Sequence, residues 1–400
     1  MSLAIELHIP RSILVVIDDG GMLDRIGEVG PGRRFPTIVN RPLGAADYET
    51  LARIGHATGT RLQVAMILCY WDCDGVCAKV PSTTWLGAAW KPQADRAWME
   101  SCAQVFIDHP EAIEFAMHGV GHDYFIDGVP HIGEWCDRVS GEPWPIADLQ
   151  RHMDCFMEIV AQTGIPGRVP YRVPESFVPC YFQCLFEEGN PLSTGHLVAA
   201  NGMRYVSTPY GSGLHTPSDP MPPRDGFFDS GLLVLERDHT DVRWNDEATV
   251  PPRLPCTSIC GMHWGNFLST DPAGNAAVAE RWIAYLHGID TAPGLMLAPT
   301  AEHCWSQWVA HTYARTRPDD DGGVVVDLSD VPERAWSRHY LQAFTLTATL
   351  PAGQHLVGID SAAFDLVGIR EVHGQTRLTV QPRGRHGGTL RPILSTTPAP

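Results

Sequence analysis

The chain lacks an excess of positive charge, a long apolar run and any closely paired cysteines. Its Lys and Arg number 29 against 46 Asp and Glu, a formal net charge of −17. That balance disfavours nucleic acid or an anionic membrane as partner and leaves a neutral sugar-like ligand open. No stretch approaches the ~20 apolar residues needed to cross a bilayer. The opening Met1-Ser2-Leu3-Ala4-Ile5-Glu6 has no basic segment, and the apolar run at Ile13 is stopped by Asp18. No export signal is expected, so a reducing, cytoplasmic setting is. The eleven cysteines include no Cys-x-x-Cys: Cys69, Cys73 and Cys77 stand four apart, as do Cys180/Cys184 and Cys256/Cys260. A structural zinc cluster favours tighter pairs. Internal repeats are absent too, and the Gly/Ser-rich Tyr210 to Gly213 does not have a phosphate-loop pattern.

What is present is enough apolar sequence, 44% of 400 residues, for a large core and two or three domains. The stretch around which the rest is organised is Val15-Val16-Ile17-Asp18-Asp19-Gly20-Gly21. A β-branched apolar run reads as a buried parallel strand, and the glycines allow a sharp turn at its carboxyl end. In α/β sheets and barrels that end is where ligands bind. Two adjacent carboxylates there call for a metal ion or an arginine. A second apolar run, Glu114 to Met117, ends in His118-Gly119-Val120-Gly121-His122. Imidazoles four apart can reach one centre, and one carboxylate with two histidines is a common open set for a catalytic divalent ion.

Strands over Arg61–Trp71, Met203–Ser207, Leu232–Glu236, Cys256–Met262 and Gly294–Ala298 alternate with helices over Ala46–His56, Gln93–Ile107, Ile146–Gln162, Asn275–His287 and Thr300–Val309. That alternation argues for a parallel α/β barrel or sheet. Gly27 to Pro42, Asp72 to Pro92 and Asp123 to Pro145 read as long loops, a length often functional. Their tryptophans, Trp85, Trp90, Trp135 and Trp144, could be packing anchors or a sugar platform. At Pro318-Asp319-Asp320-Asp321-Gly322-Gly323 the composition changes, and short strands follow. The expected division is a catalytic domain over 1–317 and a small β-sandwich-like domain over 318–400.

The order of these pieces resembles the polysaccharide deacetylase family, the NodB-homology hydrolases. The resemblance rests on Asp18-Asp19-Gly20 at a strand end, His118-x-x-x-His122, an Arg-x-Pro segment at Arg172-Val173-Pro174, and a strand ending in His263. Leu295 to Thr300 and the helix after it look like the family's last strand and helix. It implies a distorted (β/α) barrel and a deacetylase acting on linear amides. Asp19, His118 and His122 would hold a divalent ion, zinc first. Asp18 would be the general base, Arg172 its orienting partner, and His263 the acid for the leaving group. Glu175, Tyr171 and Trp264 fall where substrate contacts are expected. The sequence departs from the family pattern in three ways. Glu175 stands where a tyrosine usually closes the third motif, although the overlapping Arg168-Val169-Pro170-Tyr171 has the letters. The fourth motif has only Asp238, Asp241 and Trp244 as its nearest match. The insertions around Trp85, Trp135 and Pro209 to Arg224 suit a closed pocket for a small substrate more than a polymer groove.

The reading is a metal-dependent hydrolase taking an N-acyl group, N-acetyl in the first place, from an amino sugar or related small molecule, acting alone or as a homo-oligomer. The alternatives are a metal-free amide hydrolase of the same fold, a glycoside hydrolase using Asp18 or Asp19, and an inactive carbohydrate-binding protein.

Overall fold

The computed structural model describes residues 5–22, 41–209, 225–238 and 240–396. Most of the expected loop Gly27 to Pro42 and of the insertion Pro209 to Arg224 lies outside them. The chain divides into two compact units, residues 14–285 and residues 1–13 with 286–400. Strands and helices are numbered below in chain order.

Seven strands form the first unit's centre: β2 (Arg11–Gly20), β3 (Leu62–Ile67), β4 (Ile113–Gly119), β7 (Ser176–Phe177), β8 (Tyr205–Thr208), β10 (Leu232–Asp238) and β11 (Ile259–His263). Each pairs in parallel with the next, and β11 pairs in parallel with β2 to close the ring. The result is a closed seven-stranded (β/α) barrel. Ile13 to Ile17 are fully buried, as a barrel strand covered on both faces requires. A hairpin of β5 (Tyr124–Ile126) and β6 (Val129–His131) follows β4, and β9 (Gly226–Asp229) runs antiparallel along β10.

The helices are set by local chemistry. In α1 (Ala45–Thr58), Gly59 stops the helix in the left-handed conformation that glycine adopts without strain. The Asp95 carboxylate accepts the Trp98 N–H and starts α2 (Arg96–Asp108). In α3 (Ile146–Gln162), Leu149, Met153, Phe156, Ile159 and Val160 recur at three- and four-residue spacing, and all are buried. The short α4 (Thr194–Ala200) and the longer α5 (Asn275–Thr291) complete this set.

The second unit holds β12 (Leu295–Leu297), α6 (Ala301–Tyr313), a short α7 (Glu333–Ser337) and two four-stranded antiparallel sheets. One sheet has the order β1 (Glu6–His8), β15 (Phe344–Thr349), β18 (Gln375–Pro382), β17 (Phe364–Val372). The other has β13 (Arg315–Pro318), β14 (Val324–Asp327), β19 (Gly387–Ser395), β16 (His355–Asp360). The compositional break near 318 is the turn of a hairpin between β13 and β14, closed by Asp319 N–H donating to Gly323 O and Gly322 N–H to Asp319 O. The division expected at 317/318 therefore falls inside the second unit.

Candidate active site

The site is built at the carboxyl ends of β2, β4, β10 and β11. The apolar part of β2 buries its backbone and delivers Asp18 and Asp19 where the ladder ends. Asp19 takes a left-handed φ of 63°. A non-glycine residue held there costs ~1–3 kcal/mol and persists only where its surroundings demand it. His122 is held the same way, at φ 67°.

The restraint on His122 is visible. The fully buried Glu134 carboxylate accepts the backbone N–H groups of Val120, Gly121 and His122 at 3.0, 3.1 and 2.9 Å. His152 Nδ1 lies 3.0 Å from its Oε1, and His152 Nε2 lies 2.9 Å from Ser82 Oγ. Trp135, fully buried, donates its indole N–H to His118 O at 3.0 Å. Of the loop tryptophans, Trp135 is thus a packing anchor that fixes the His118 backbone.

Asp19 Oδ1 lies 3.5 Å from both His118 Nε2 and His122 Nε2, and all three side chains are almost fully buried. His118 Nδ1 sits 2.7 Å from Val178 O, so that nitrogen carries the hydrogen and Nε2 is turned toward Asp19. Burial pushes the Asp19 pKa up, but the neighbouring imidazoles outweigh it and hold the carboxyl well below its usual range. For His118, burial works downward while Asp19 and Asp18 raise it, and the net shift is upward. A spacing of 3.5 Å is long for a hydrogen bond. Two ligands each about 2.1 Å from a tetrahedral ion stand about 3.4 Å apart. The donor set and its spacing fit a small divalent ion.

Asp18 is paired, and its partner is Arg237 of β10. Arg237 Nη2 lies 2.9 Å from Asp18 Oδ2, with both side chains buried. The same nitrogen donates to Val16 O at 3.2 Å and Met262 O at 3.0 Å. Its hydrogens are therefore spent on carbonyls, and neither Asp18 oxygen receives a well-aimed hydrogen bond. The arginine supplies charge without occupying the carboxylate. This packing needs Gly261, where a Cβ would stand 1.9 Å from Arg237 Nε.

His263 ends β11 in direct register with Asp18, its Nε2 3.9 Å from Asp18 Oδ2. Burial lowers the His263 pKa. Asp18 and Asp19 oppose that, Arg237 and His118 add to it, and the net shift is downward. Asp238 and Asp241, the nearest match to the fourth motif, both bind Arg253, at 2.8 and 2.7 Å.

The Arg-x-Pro segment does not reach this end of the barrel. It precedes β7, at the amino ends of the strands. Tyr171 donates its hydroxyl to Ile113 O, at the first residue of β4. The exposed Arg172 packs against Gly202, ahead of β8, and Glu175 pairs with Arg204 at 3.0 Å. Arg168 is exposed and reaches Gln104. Arg172, Tyr171 and Glu175 are thus placed away from Asp18, because the chain must still cross the barrel through β7 to arrive there. Trp264 is next to His263 but fully buried, its ring 4.5 Å from that of Tyr48.

What stands at the carboxyl end of β7 is Val178-Pro179-Cys180-Tyr181-Phe182. Tyr181 and Phe182 are both left-handed, at φ 50° and 60°. The Tyr181 ring lies 4.3 Å from His122, and the Arg237 guanidinium sits 5.4 Å over Phe182. Both rings are half-buried and wall the site. The buried Cys180 thiol donates to His118 O at 3.3 Å. A ring nitrogen of His118, one of His122 and the Cys180 sulfur lie within 4.8 Å of one another. Sequence reasoning missed Arg237 and this segment. The signal for Arg237 was a charged residue closing an otherwise apolar strand run, Leu232 to Leu235.

No protein-family model matches the chain, and no curated protein sequence does. Among solved structures it is similar to a family 4 carbohydrate esterase from Streptomyces lividans in complex with acetate. The two are 13% identical with a TM-score of 0.34, covering 73% of this chain and 93% of that one. A protein from Mycobacterium smegmatis assigned to the polysaccharide deacetylases gives 14% and 0.34, covering 63% and 73%. Likeness of this size carries no argument. The barrel rests on the chain's own strand pairing, and the site on its own distances.

Proposed function

We propose that the protein is a metal-dependent hydrolase that removes an N-acyl group, N-acetyl first, from an amino sugar or a related small molecule. The observation that carries this is the meeting of two carboxylates and three histidines, Asp18, Asp19, His118, His122 and His263, at one barrel mouth with a buried arginine. Asp19, His118 and His122 would hold the ion, with zinc favoured by two imidazoles and one carboxylate. Bound there, it would supply a Lewis acid that activates water and polarises the acyl oxygen.

The chain's own groups do the rest. Asp18 has charge compensation from Arg237 and open lone pairs, so it can take a proton from the attacking water. His263, 3.9 Å away, can deliver a proton to the departing nitrogen. Tyr181 and Phe182 stand beside His122 and Arg237 and flank the reacting groups.

The test is a zinc-supplemented screen of N-acetylated sugars and nucleotide-sugars read by mass spectrometry, with elemental analysis of protein purified without chelator. One ion per chain and release of acetate are expected, and His122→Ala should lose the ion. Asp18→Asn and His263→Ala should keep the ion yet lose on the order of a hundredfold in rate. Wild-type rate in Asp18→Asn, or an unchanged ion content in His122→Ala, would overturn the assignment. The release of reducing ends instead of acetate would favour a glycosidase.

A further inference from the structure

A second group of histidines lies far from the barrel mouth in sequence and on the outside of the first unit. His56 is in the last turn of α1, and His109 is the residue that ends α2. His56 Nε2 lies 2.9 Å from His109 Nδ1. The outer nitrogen of each ring faces a carboxylate: His56 Nδ1 is 3.5 Å from Glu111 Oε1, and His109 Nε2 is 3.2 Å from Glu49 Oε2.

At 3.5 Å the His56–Glu111 contact is too long for a hydrogen bond, so it does not fix the hydrogen on Nδ1. The two inner nitrogens make an N–H···N hydrogen bond in which either ring can donate, depending on the tautomer. A divalent ion in place of that hydrogen would take a lone pair from both rings, and the two nitrogens already stand close enough for one ion. Two nitrogens each about 2.05 Å from an ion and at a right angle to one another stand about 2.9 Å apart. Right-angle nitrogen and oxygen coordination is the tetragonal preference of Cu(II) and Ni(II). The outer carboxylates then have the orienting role that such groups play behind metal-bound histidines. Glu111 also brings an oxygen within 4.8 Å of a nitrogen of each ring, so an anionic third donor is at hand.

We propose that His56 and His109 form a surface clip for a divalent transition ion of the copper or nickel kind, oriented by Glu49 and Glu111. The ion replaces any proton shared between the rings, which leaves to solvent. It ties the end of α1 to the end of α2. The clip shares no ligand with Asp19, His118 and His122 and does not depend on the proposed hydrolase activity.

The experiment uses the full chain carrying His122→Ala, stripped with chelator and titrated with Cu(II). Electron paramagnetic resonance reads the nitrogen ligands, and bound copper per chain is counted. One ion bound at micromolar concentration with two-imidazole hyperfine structure is expected. His56→Ala and His109→Ala should each abolish that signature, and Glu49→Gln should weaken binding about tenfold or more. If His122→Ala proves unstable, the wild-type chain and His109→Ala should differ by one bound ion. No copper uptake at micromolar concentration overturns the proposal and leaves a hydrogen-bonded pair. A two-imidazole signature that survives His109→Ala overturns it by placing the ion on other histidines.

Discussion

Arg237 Nη2 lies 2.9 Å from Asp18 Oδ2, and neither side chain reaches solvent. Removing one member of a buried pair strands the other, at a cost of about 3–5 kcal/mol. Arg237→Met should therefore lower stability by that amount in denaturant unfolding and depress any hydrolytic rate. Arg172→Ala, at the opposite strand ends, should do neither. Equal losses in the two variants would return the orienting role to Arg172.

Gly261→Ala tests the same pair without touching a charge. The added methyl would meet Arg237 Nε at 1.9 Å and Cγ at 2.5 Å. Overpacking of this kind typically costs about 1–3 kcal/mol and displaces the crowded group. Activity should fall along with Tm. Gly368→Ala, with nothing within 4 Å, is the control and should be close to neutral. An active Gly261→Ala would show that Arg237 can shift without consequence.

Glu134 touches no reacting atom in the proposed chemistry, yet it holds three successive N–H groups leading into His122. Hydrogen bonds to a charged group contribute about 1.5–3 kcal/mol each. Glu134→Ala should destabilise by at least about 3 kcal/mol and reduce metal retention, since His122 would leave its left-handed backbone. Glu134→Gln should recover part of both. Full metal retention in Glu134→Ala, measured after dialysis, would show that His122 is positioned by other contacts.

Asp238 supplies a pH test away from the histidines. Burial raises its pKa, but Arg253 at 2.8 and 2.9 Å and the N–H groups of Cys256 and Thr240 lower it further, so the net shift is downward. A depressed folded pKa gives stability that is present above the unfolded value of about 3.9 and is lost as pH falls below it. Asp238→Asn should lower Tm at pH 7, with a loss of about 1.5–3 kcal/mol. The gap from wild type should close as pH drops from about 4 toward 2. A gap that stays constant over that range would remove ionic pairing as its cause.

Much of the barrel was legible because its strands are apolar runs stopped by polar residues. β2, β4, β10 and β11 announce themselves this way, and the same feature marks Asp18, Asp19, His118, His122 and His263; β3 ends at Ile67, short of the expected Trp71, because the apolar run goes on into a 3-10 turn over Cys69–Trp71. β7 is two residues long and leaves no periodic trace. Without it, the direction of the chain between α3 and β8 cannot be read, and an arginine before β7 looks equivalent to one after it. Arg172 therefore matches the motif by its letters and not by its place. Arg237 was hidden differently: its role depends on a glycine one strand away, and pairing between β10 and β11 is a tertiary fact. Glu134 lies in a loop, where no spacing rule connects it to His122. The second unit's sheets were partly visible, but β17 and β19, largely half-exposed, lack the buried alternation that marks a strand.

The register that sets His263 opposite Asp18 also fixes when function can appear during folding. These residues belong to the first and last strands of the ring, so the loop joining them spans nearly the whole first unit. Contacts of such sequence separation are slow to form, because their closure entropy is met before any reward. A chain that has built β3 through β10 but not joined β11 to β2 could have most of its helices and barrel strands and still lack a working site. Recovery of activity after dilution from denaturant therefore reports ring closure itself, and it should lag behind the return of helical circular dichroism.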